Sequence, residues 1–320
     1  MRVLITGVTG FAGRHLAAYC ARQPGVVVIG LGRRTGADAE PPEEIEAYEA
    51  VDLADTERAH DTIKRMAPDR IFHLAGDASV AHSWDDPASV ITNNICSTLN
   101  LLEAIRLGPP GIRILITGSG EEYGDPERLP VTEDHPLRPK NPYAVSKAAI
   151  DLAAGFYADA HGLHVLRTRA FNHAGPGQSD TYVVSNLARQ IAEGEASADA
   201  SSVEVAIGNA NVRRDFTDVR DVVRAYWLAL ESAPPGVYNV CSGTSVAIAD
   251  ILESLAARTP LEVTKRTDPK RFRQREVNEI MGSHDKLTAA TGWQPEIPLD
   301  QTVQDMLEWW RAETRTRVAT

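Results

Sequence analysis

Near its start the chain reads Leu4-Ile5-Thr6-Gly7-Val8-Thr9-Gly10-Phe11-Ala12-Gly13, an apolar run broken by three glycines spaced three apart. No other feature restricts the fold as much. Gly7 permits a tight turn, Gly10 lets backbone approach a pyrophosphate, and Gly13 lets the following helix pack closely on the strand. The helix that follows offers unpaired N–H groups and a positive dipole end to an anion. Glycines alone could merely form a turn, but here they lie between an apolar strand and an amphipathic helix. That setting favours dinucleotide binding by Gly7, Gly10, Phe11, Ala12 and Gly13.

The remainder of the first half repeats the strand–helix rhythm. Apolar runs at 2–6, 26–31, 70–74, 112–117 and 165–169 predict strands, and 13–22, 56–66 and 94–106 predict helices. Alternation of this kind predicts an α/β fold, a doubly wound parallel sheet of the Rossmann type. The acidic segment 35–50, with Pro41-Pro42, reads as an exposed loop. From Phe171 the rhythm changes, with glycine and proline in Ala174-Gly175-Pro176-Gly177, a small polar stretch at 195–202, a helix over 221–230 and a short strand over 237–240. The last helix carries Val303, Met306, Leu307 and Trp310 at helical spacing, which marks a core face. The expected organisation is a cofactor domain over 1–171 with a returning segment near 216–241, and a smaller, interleaved C-terminal substrate domain, mainly 172–320.

Composition removes several classes of function. A net charge of −11 opposes nucleic-acid binding, because phosphates need a compensating basic surface. No stretch approaches the ~20 apolar residues of a membrane span. Residues 1–6 read as a buried strand rather than a signal peptide. Cys20, Cys96 and Cys241 form no CxxC or CxxH pair, so neither a disulfide framework nor a metal centre is expected, and a reducing cytoplasm fits best.

At the end of the second expected strand an NAD enzyme usually places an acid against the ribose 2′-hydroxyl, whereas arginine suits a 2′-phosphate. The chain has Gly30-Leu31-Gly32-Arg33-Arg34, which favours NADP(H), although two arginines can also be plain surface charges. The most informative segment is Asn141-Pro142-Tyr143-Ala144-Val145-Ser146-Lys147. Asn141 caps a helix, Pro142 suits its first turn, and Tyr143 and Lys147 then share a face. A neighbouring ammonium is expected to bring the phenol down from its ordinary value of ~10. Upstream, Ile114-Leu115-Ile116-Thr117-Gly118-Ser119 ends a strand at a hydroxyl able to bond a carbonyl oxygen near Tyr143.

Glycine turn, strand-end Ser followed by Glu-Glu-Tyr-Gly, and YxxxK together resemble the extended short-chain dehydrogenase/reductase family over essentially the whole chain. Asp52-Leu53 resembles that family's adenine-contacting pair, His73-Leu74-Ala75-Gly76 its fourth-strand cofactor segment, and Asn94 an asparagine that supports the active-site helix. Asn172 to Gln178, Arg214-Asp215-Phe216-Thr217-Asp218-Val219, Tyr238 to Gly243, Gly282-Ser283-His284 and Thr291 to Pro295 are similar to GDP-4-keto-6-deoxy-D-mannose reductases, relatives of GDP-mannose 4,6-dehydratases. The resemblance implies Ser119, Tyr143 and Lys147 as the catalytic three, with Tyr143 and Lys147 also at the cofactor and Ser119 and Tyr143 also at the substrate. It implies contacts from Asn172 and Arg214 to the nucleotide diphosphate, and from Arg273 and Glu276 to the GDP end. Gln274 replaces a common proline there, and Gly120 replaces a second hydroxyl residue. Surface ion pairing is the ordinary alternative for Arg214 and Arg273, but bidentate donors suit phosphate.

The implied activity is NADPH-dependent reduction of the C4 ketone of a GDP-linked 6-deoxyhexose, giving GDP-D-rhamnose, in a homodimer. Glu121 keeps two alternatives open. As a carboxylate beside the substrate it would serve a 4,6-dehydratase, whereas a ketone reductase does not need it. A non-catalytic NADP-binding sensor is the reading of another class, and the intact Ser119, Tyr143 and Lys147 oppose it.

Overall fold

The computed structural model describes residues 1–35, 40–197, 199–272 and 277–319. Seven strands form a wholly parallel sheet: β1 (Arg2–Thr6), β2 (Val27–Gly32), β3 (Ala47–Ala50), β4 (Arg70–His73), β5 (Arg113–Ser119), β6 (His164–Ala170) and, after an excursion, β10 (Gly236–Val240). Their order is β10-β6-β5-β4-β1-β2-β3. The chain winds outward from β1 through β2 to β3, then crosses back to β4 and winds the other way. That reversal leaves a crevice at the carboxyl ends of β1 and β4, where open α/β sheets bind ligands.

Helices cover both faces, as a parallel sheet requires. On one face α1 (Phe11–Ala21) and α7 (Val219–Ser232) bury Leu16, Cys20, Val222, Tyr226 and Leu230 against Val3, Ile5 and Leu166. On the other, α2 (Thr56–Met66), α4 (Pro87–Leu107) and α5 (Pro142–His161) bury Ile63, Leu101, Ile105 and Ile150 against Leu4, Ile71 and Ile114. Local chemistry sets the helix ends. Asp55 accepts a bond from Arg58 N–H to begin α2, and Asn141 accepts one from Ala144 N–H to begin α5. Gly162, at φ 66°, ends α5 in the left-handed conformation.

The second unit contains β7 (Asn172–Ala174), β9 (Arg213–Asp218), β11 (Ser245–Ala247) and β13 (Glu279–Ile280) in one small sheet, and β8 (Ser202–Ile207) with β12 (Glu262–Thr267) in another. Helices α6 (Val183–Glu195), α8 (Ile248–Ala256) and α10 (Leu299–Ala319) enclose its core. Val303, Met306, Leu307 and Trp310 lie in that core, as their spacing predicts. Two short helices complete the chain, α3 (Val80–Asp85) before α4, and α9 (Asp285–Thr291) against α7 and β10.

Buried carboxylates fasten the two units together. Asp215 on β9 accepts bonds from Ser242 N–H and hydroxyl, Gly243 N–H and Gly282 N–H. Asp218 caps α7, pairs with Arg220, and accepts a bond from Thr302 of α10.

The structure departs from the sequence reading in three places. The segment 35–50 is not loop throughout, because its end forms β3, an edge strand paired with β2; residues 36–39 lie outside the described residues. Helix α4 begins at Pro87, where Asp86 accepts a bond from Ser89 N–H, two turns before the expected start at 94. Helix α1 begins at Phe11 rather than Gly13.

Candidate functional site

A cleft of about 630 Å³ opens at the crevice between β1 and β4. At its floor Gly7 has φ +72°, and a Cβ there would lie 2.9 Å from Ala75 N. At Gly13 a Cβ would lie 2.3 Å from Gly7 O, so α1 approaches the turn only because that side chain is absent. Gly10 is the N-cap residue of α1 and contributes no side-chain bond, which leaves the first-turn N–H groups directed into the cleft. Thr6 and His73 bind the two strand ends together at 2.8 Å, and Thr6 Oγ1 also accepts a bond from Ala75 N–H. Burial lowers His73 to about 3, with the Lys147 charge adding to the effect, so its ring is a neutral structural bridge.

The expected cofactor residues line this one cleft: Gly7, Gly10, Phe11, Ala12 and Gly13 at the turn, Leu74, Ala75 and Gly76 after β4, Asp52 and Leu53 after β3, and Arg33 and Arg34 after β2. A Cβ at Gly32 would meet the Tyr48 hydroxyl at 2.7 Å, so a side chain there would require that ring to shift. Among the described residues neither Arg33 nor Arg34 has an ion-pair partner, which fits a site for an additional phosphate. Asn94 accepts a bond from Asp77 N–H and donates to Asp77 O and Ser146 Oγ, tying α4 and α5 to the loop after β4. These groups fit a dinucleotide.

At the far end of the cleft, Ser119 closes β5 and Tyr143 and Lys147 stand on one face of α5, all three buried. Lys147 Nζ donates to Thr117 O at 2.8 Å and lies 5.9 Å from the centre of the Tyr143 ring. Burial lowers Lys147 to about 8, opposed by Glu122. The expectation that Lys147 lowers the Tyr143 phenol does not hold. Burial drives it up, a hydrogen bond with Ser119 opposes this, and Tyr182, Glu122 and Glu121 add to the rise. The ammonium is engaged by the strand carbonyl, and desolvation of the phenol outweighs it.

Glu121 lines the same cleft, and its Oε2 accepts a bond from Asn141 Nδ2 at 3.1 Å. At Gly120 a Cβ would be 3.1 Å from the Phe171 ring, so a larger residue there would need that ring to give way slightly. Asn172 faces the main cleft. Arg214 does not join it there: it lies on a small adjoining pocket shared with Glu121, Lys140, Asn141 and Trp84. Arg273 and Glu276 lie outside the described residues.

Several residues at or beneath the site escaped the sequence reading, among them four that are ionisable. Asp77, His82 and Tyr182 line the cleft, and Glu122 is fully buried beneath Ser119. Only Glu122 carried a signal, as a second acid between a strand end and a buried Tyr123.

The sequence matches the family model described as GDP-mannose 4,6 dehydratase over residues 4–306. It is 36% identical to the GDP-6-deoxy-D-mannose reductase of Pseudomonas aeruginosa, covering 98% of each chain. The structure of RMD from the same organism, complexed with NADPH, superposes with a TM-score of 0.83 at 34% identity, covering 98% of this chain and 99% of that one. A UDP-glucose 4-epimerase from Thermotoga maritima, solved with UDP-glucose, superposes with a TM-score of 0.89 at 26% identity, covering 98% and 99%.

Proposed function

Because this chain belongs to the GDP-mannose 4,6-dehydratase family, we propose that it is an NADPH-dependent reductase of the C4 ketone of GDP-4-keto-6-deoxy-D-mannose, forming GDP-D-rhamnose. The observation that carries this reading is the convergence of Ser119, Tyr143 and Lys147 at the closed end of the dinucleotide cleft. Likeness to a GDP-6-deoxy-D-mannose reductase over the full length of both chains supports the substrate and the direction.

The cofactor, when bound, supplies hydride to the carbonyl carbon. The protein supplies the rest. Tyr143 gives its proton to the forming alkoxide, and the rise of its phenol on burial keeps that proton in place until it is needed. Ser119 donates a hydrogen bond to the same oxygen, and the Lys147 ammonium stabilises the phenolate left behind. Gly7, Gly10 and Gly13 with the start of α1 hold the pyrophosphate, Asp52 and Leu53 the adenine end, Leu74, Ala75, Gly76 and Asn94 the middle of the cofactor, and Arg33 with Arg34 the 2′-phosphate. Arg214, beside Glu121 at the adjoining pocket, takes the substrate diphosphate with Asn172, and Arg273 and Glu276 take the GDP end. In this reading residues 1–171, with a returning segment near 216–241, form the cofactor domain and the remainder the substrate domain.

Glu121 supports a second reading. Its carboxylate lines the cleft near enough to influence Tyr143, as removal of a C5 proton by a 4,6-dehydratase would require. No helix among the described residues is long and apolar enough to cross a membrane. Helix α5 exposes Val145, Leu152 and Phe156 along one face, which supports a homodimer packed through that helix. Sedimentation at the monomer mass would remove this assignment.

Tyr143→Phe keeps the ring and removes the proton. It is expected to lower kcat ~10²–10⁴-fold with cofactor affinity little changed; a variant retaining more than about a tenth of kcat excludes Tyr143 as the acid. Arg33→Ala is expected to weaken NADPH binding at least about tenfold more than NADH binding, the worth of one charge-assisted bond. Equal losses for both cofactors would make Arg33 a general surface charge. For the function as a whole, product NMR should find one NADPH consumed per 4-keto-6-deoxy substrate, with Glu121→Gln keeping most of that rate. Conversion of GDP-mannose to the 4-keto product without net NADPH use, lost in Glu121→Gln, would make the chain a dehydratase.

A further inference from the structure

Beneath the catalytic end of the cleft lies a charged cluster that the mechanism above does not use. Glu122 is wholly buried, and its Oε1 accepts the Ser119 N–H at 2.6 Å. That same oxygen occupies the space that a side chain at Gly118 would need, 2.4 Å from where its Cβ would stand. Its other oxygen accepts no hydrogen bond among the described residues and faces Arg169 Nε at 3.5 Å. Arg169 is committed elsewhere, to Asp151 at 2.9 Å and to the Tyr123 hydroxyl at 3.0 Å. Asp151 is shared in turn with Arg167.

A carboxyl placed only to hold the strand end could be replaced by any short acceptor. This one lies between the two elements that carry the reacting groups. Its Oε1 binds β5 at Ser119 and crowds Gly118, while Lys147 Nζ of α5 binds the same strand at Thr117 O, 2.8 Å away, so carboxyl and ammonium hold neighbouring peptide groups.

We propose that Glu122 is a positioning residue for proton transfer, its buried side chain fixing the Ser119 backbone while its charge holds the proton on Lys147. The inference rests on the assignment of Tyr143 and Lys147 to proton transfer. The charged groups facing Glu122 are Asp151 and Lys147 from α5 and Arg169 from β6, and the phenols of Tyr143 and Tyr123 feel its charge in turn. Burial, reinforced by Asp151, raises Glu122 well above the ordinary carboxylate range, with the Ser119 amide, Arg169 and Lys147 opposing. Glu122 is therefore neutral at lower pH and gains charge as pH rises. The gain comes on the alkaline side, where Lys147, lowered by burial, would otherwise lose its proton. The sign follows: removing the carboxylate leaves Lys147 to deprotonate at lower pH, and only the alkaline limb of activity responds.

Glu122→Gln keeps an acceptor for Ser119 N–H and removes the ionisable group. The pH dependence of kcat for ketone reduction is measured in wild type, Glu122→Gln and Tyr143→Phe, together with KM and thermal midpoints. The alkaline limb of Glu122→Gln is expected to move down by about one pH unit, a ~10-fold loss at the alkaline end, with kcat on the acid side and KM near wild type. An unmoved alkaline limb overturns the proposal, and so does a uniform loss across pH that tracks a lower thermal midpoint. If Glu122→Gln does not fold, Glu122→Met removes the charge together with the acceptor for Ser119 N–H, so a uniform loss is expected of it and only the additional shift of its alkaline limb is read. An active Tyr143→Phe would defeat the underlying assignment, whereas an inactive Tyr143→Phe beside an unmoved Glu122→Gln limb defeats this inference alone.

Discussion

Where β1 and β4 end, two backbones lie so close that one added carbon would not fit between them. Gly7 turns with φ +72° against Ala75, and Gly13 brings α1 onto the carbonyl of Gly7. Because this contact is backbone on backbone, side-chain rearrangement cannot relieve a larger residue there. The crevice, the direction of α1 and the uncapped N–H groups at its start all follow from it. The Thr6–His73–Thr98 bridge completes the floor, and it depends on burial keeping His73 neutral.

The catalytic end obeys a different rule. Ser119, Tyr143 and Lys147 come from a strand end and a helix that meet over a polar interior, not an apolar one. Arg169, Asp151, Glu122 and Tyr123 form that interior; Arg169 binds Asp151 and Tyr123, and Glu122 keeps one oxygen without a hydrogen bond among the described residues. The strand end is held from below by Glu122 and the helix start from the side by the Asn141 cap.

Much of this could be read from the residues because the governing interactions are local in sequence. Glycine spacing, the Asn141-Pro142 helix start and the four-residue step from Tyr143 to Lys147 are each fixed within a turn or two. The large sheet followed from apolar runs that the structure reproduces within two residues. What stayed hidden depends on contacts between distant segments. The strand β3 is an edge strand of mixed residues without an apolar run, so its pairing with β2 left no periodic signal. The start of α4 is an exception, since Asp86-Pro87 is a local cap signal of the same kind as Asn141-Pro142. The state of Tyr143 could not follow from Lys147 alone, because desolvation by segments far away in sequence decides it. Tyr182 and Asp77 reach the cleft from the residue that precedes α6 and from the loop after β4, and neither sits in a pattern that sequence spacing could reveal.

The path of the chain has a further consequence. After β6 it enters the second unit at β7, returns to the large sheet for α7 and β10, leaves again at β11, and comes back at α9 before ending on α10. Each unit is therefore assembled from pieces separated by stretches of the other. A single cut in the backbone cannot release either as a complete body, and a truncated gene would encode a sheet without α7 and β10 or a lobe without its first strand. The two halves must mature as one cooperative whole. The Asp215 carboxylate of β9 ties together two of the other places where the chain crosses between the units, at Ser242–Gly243 and at Gly282.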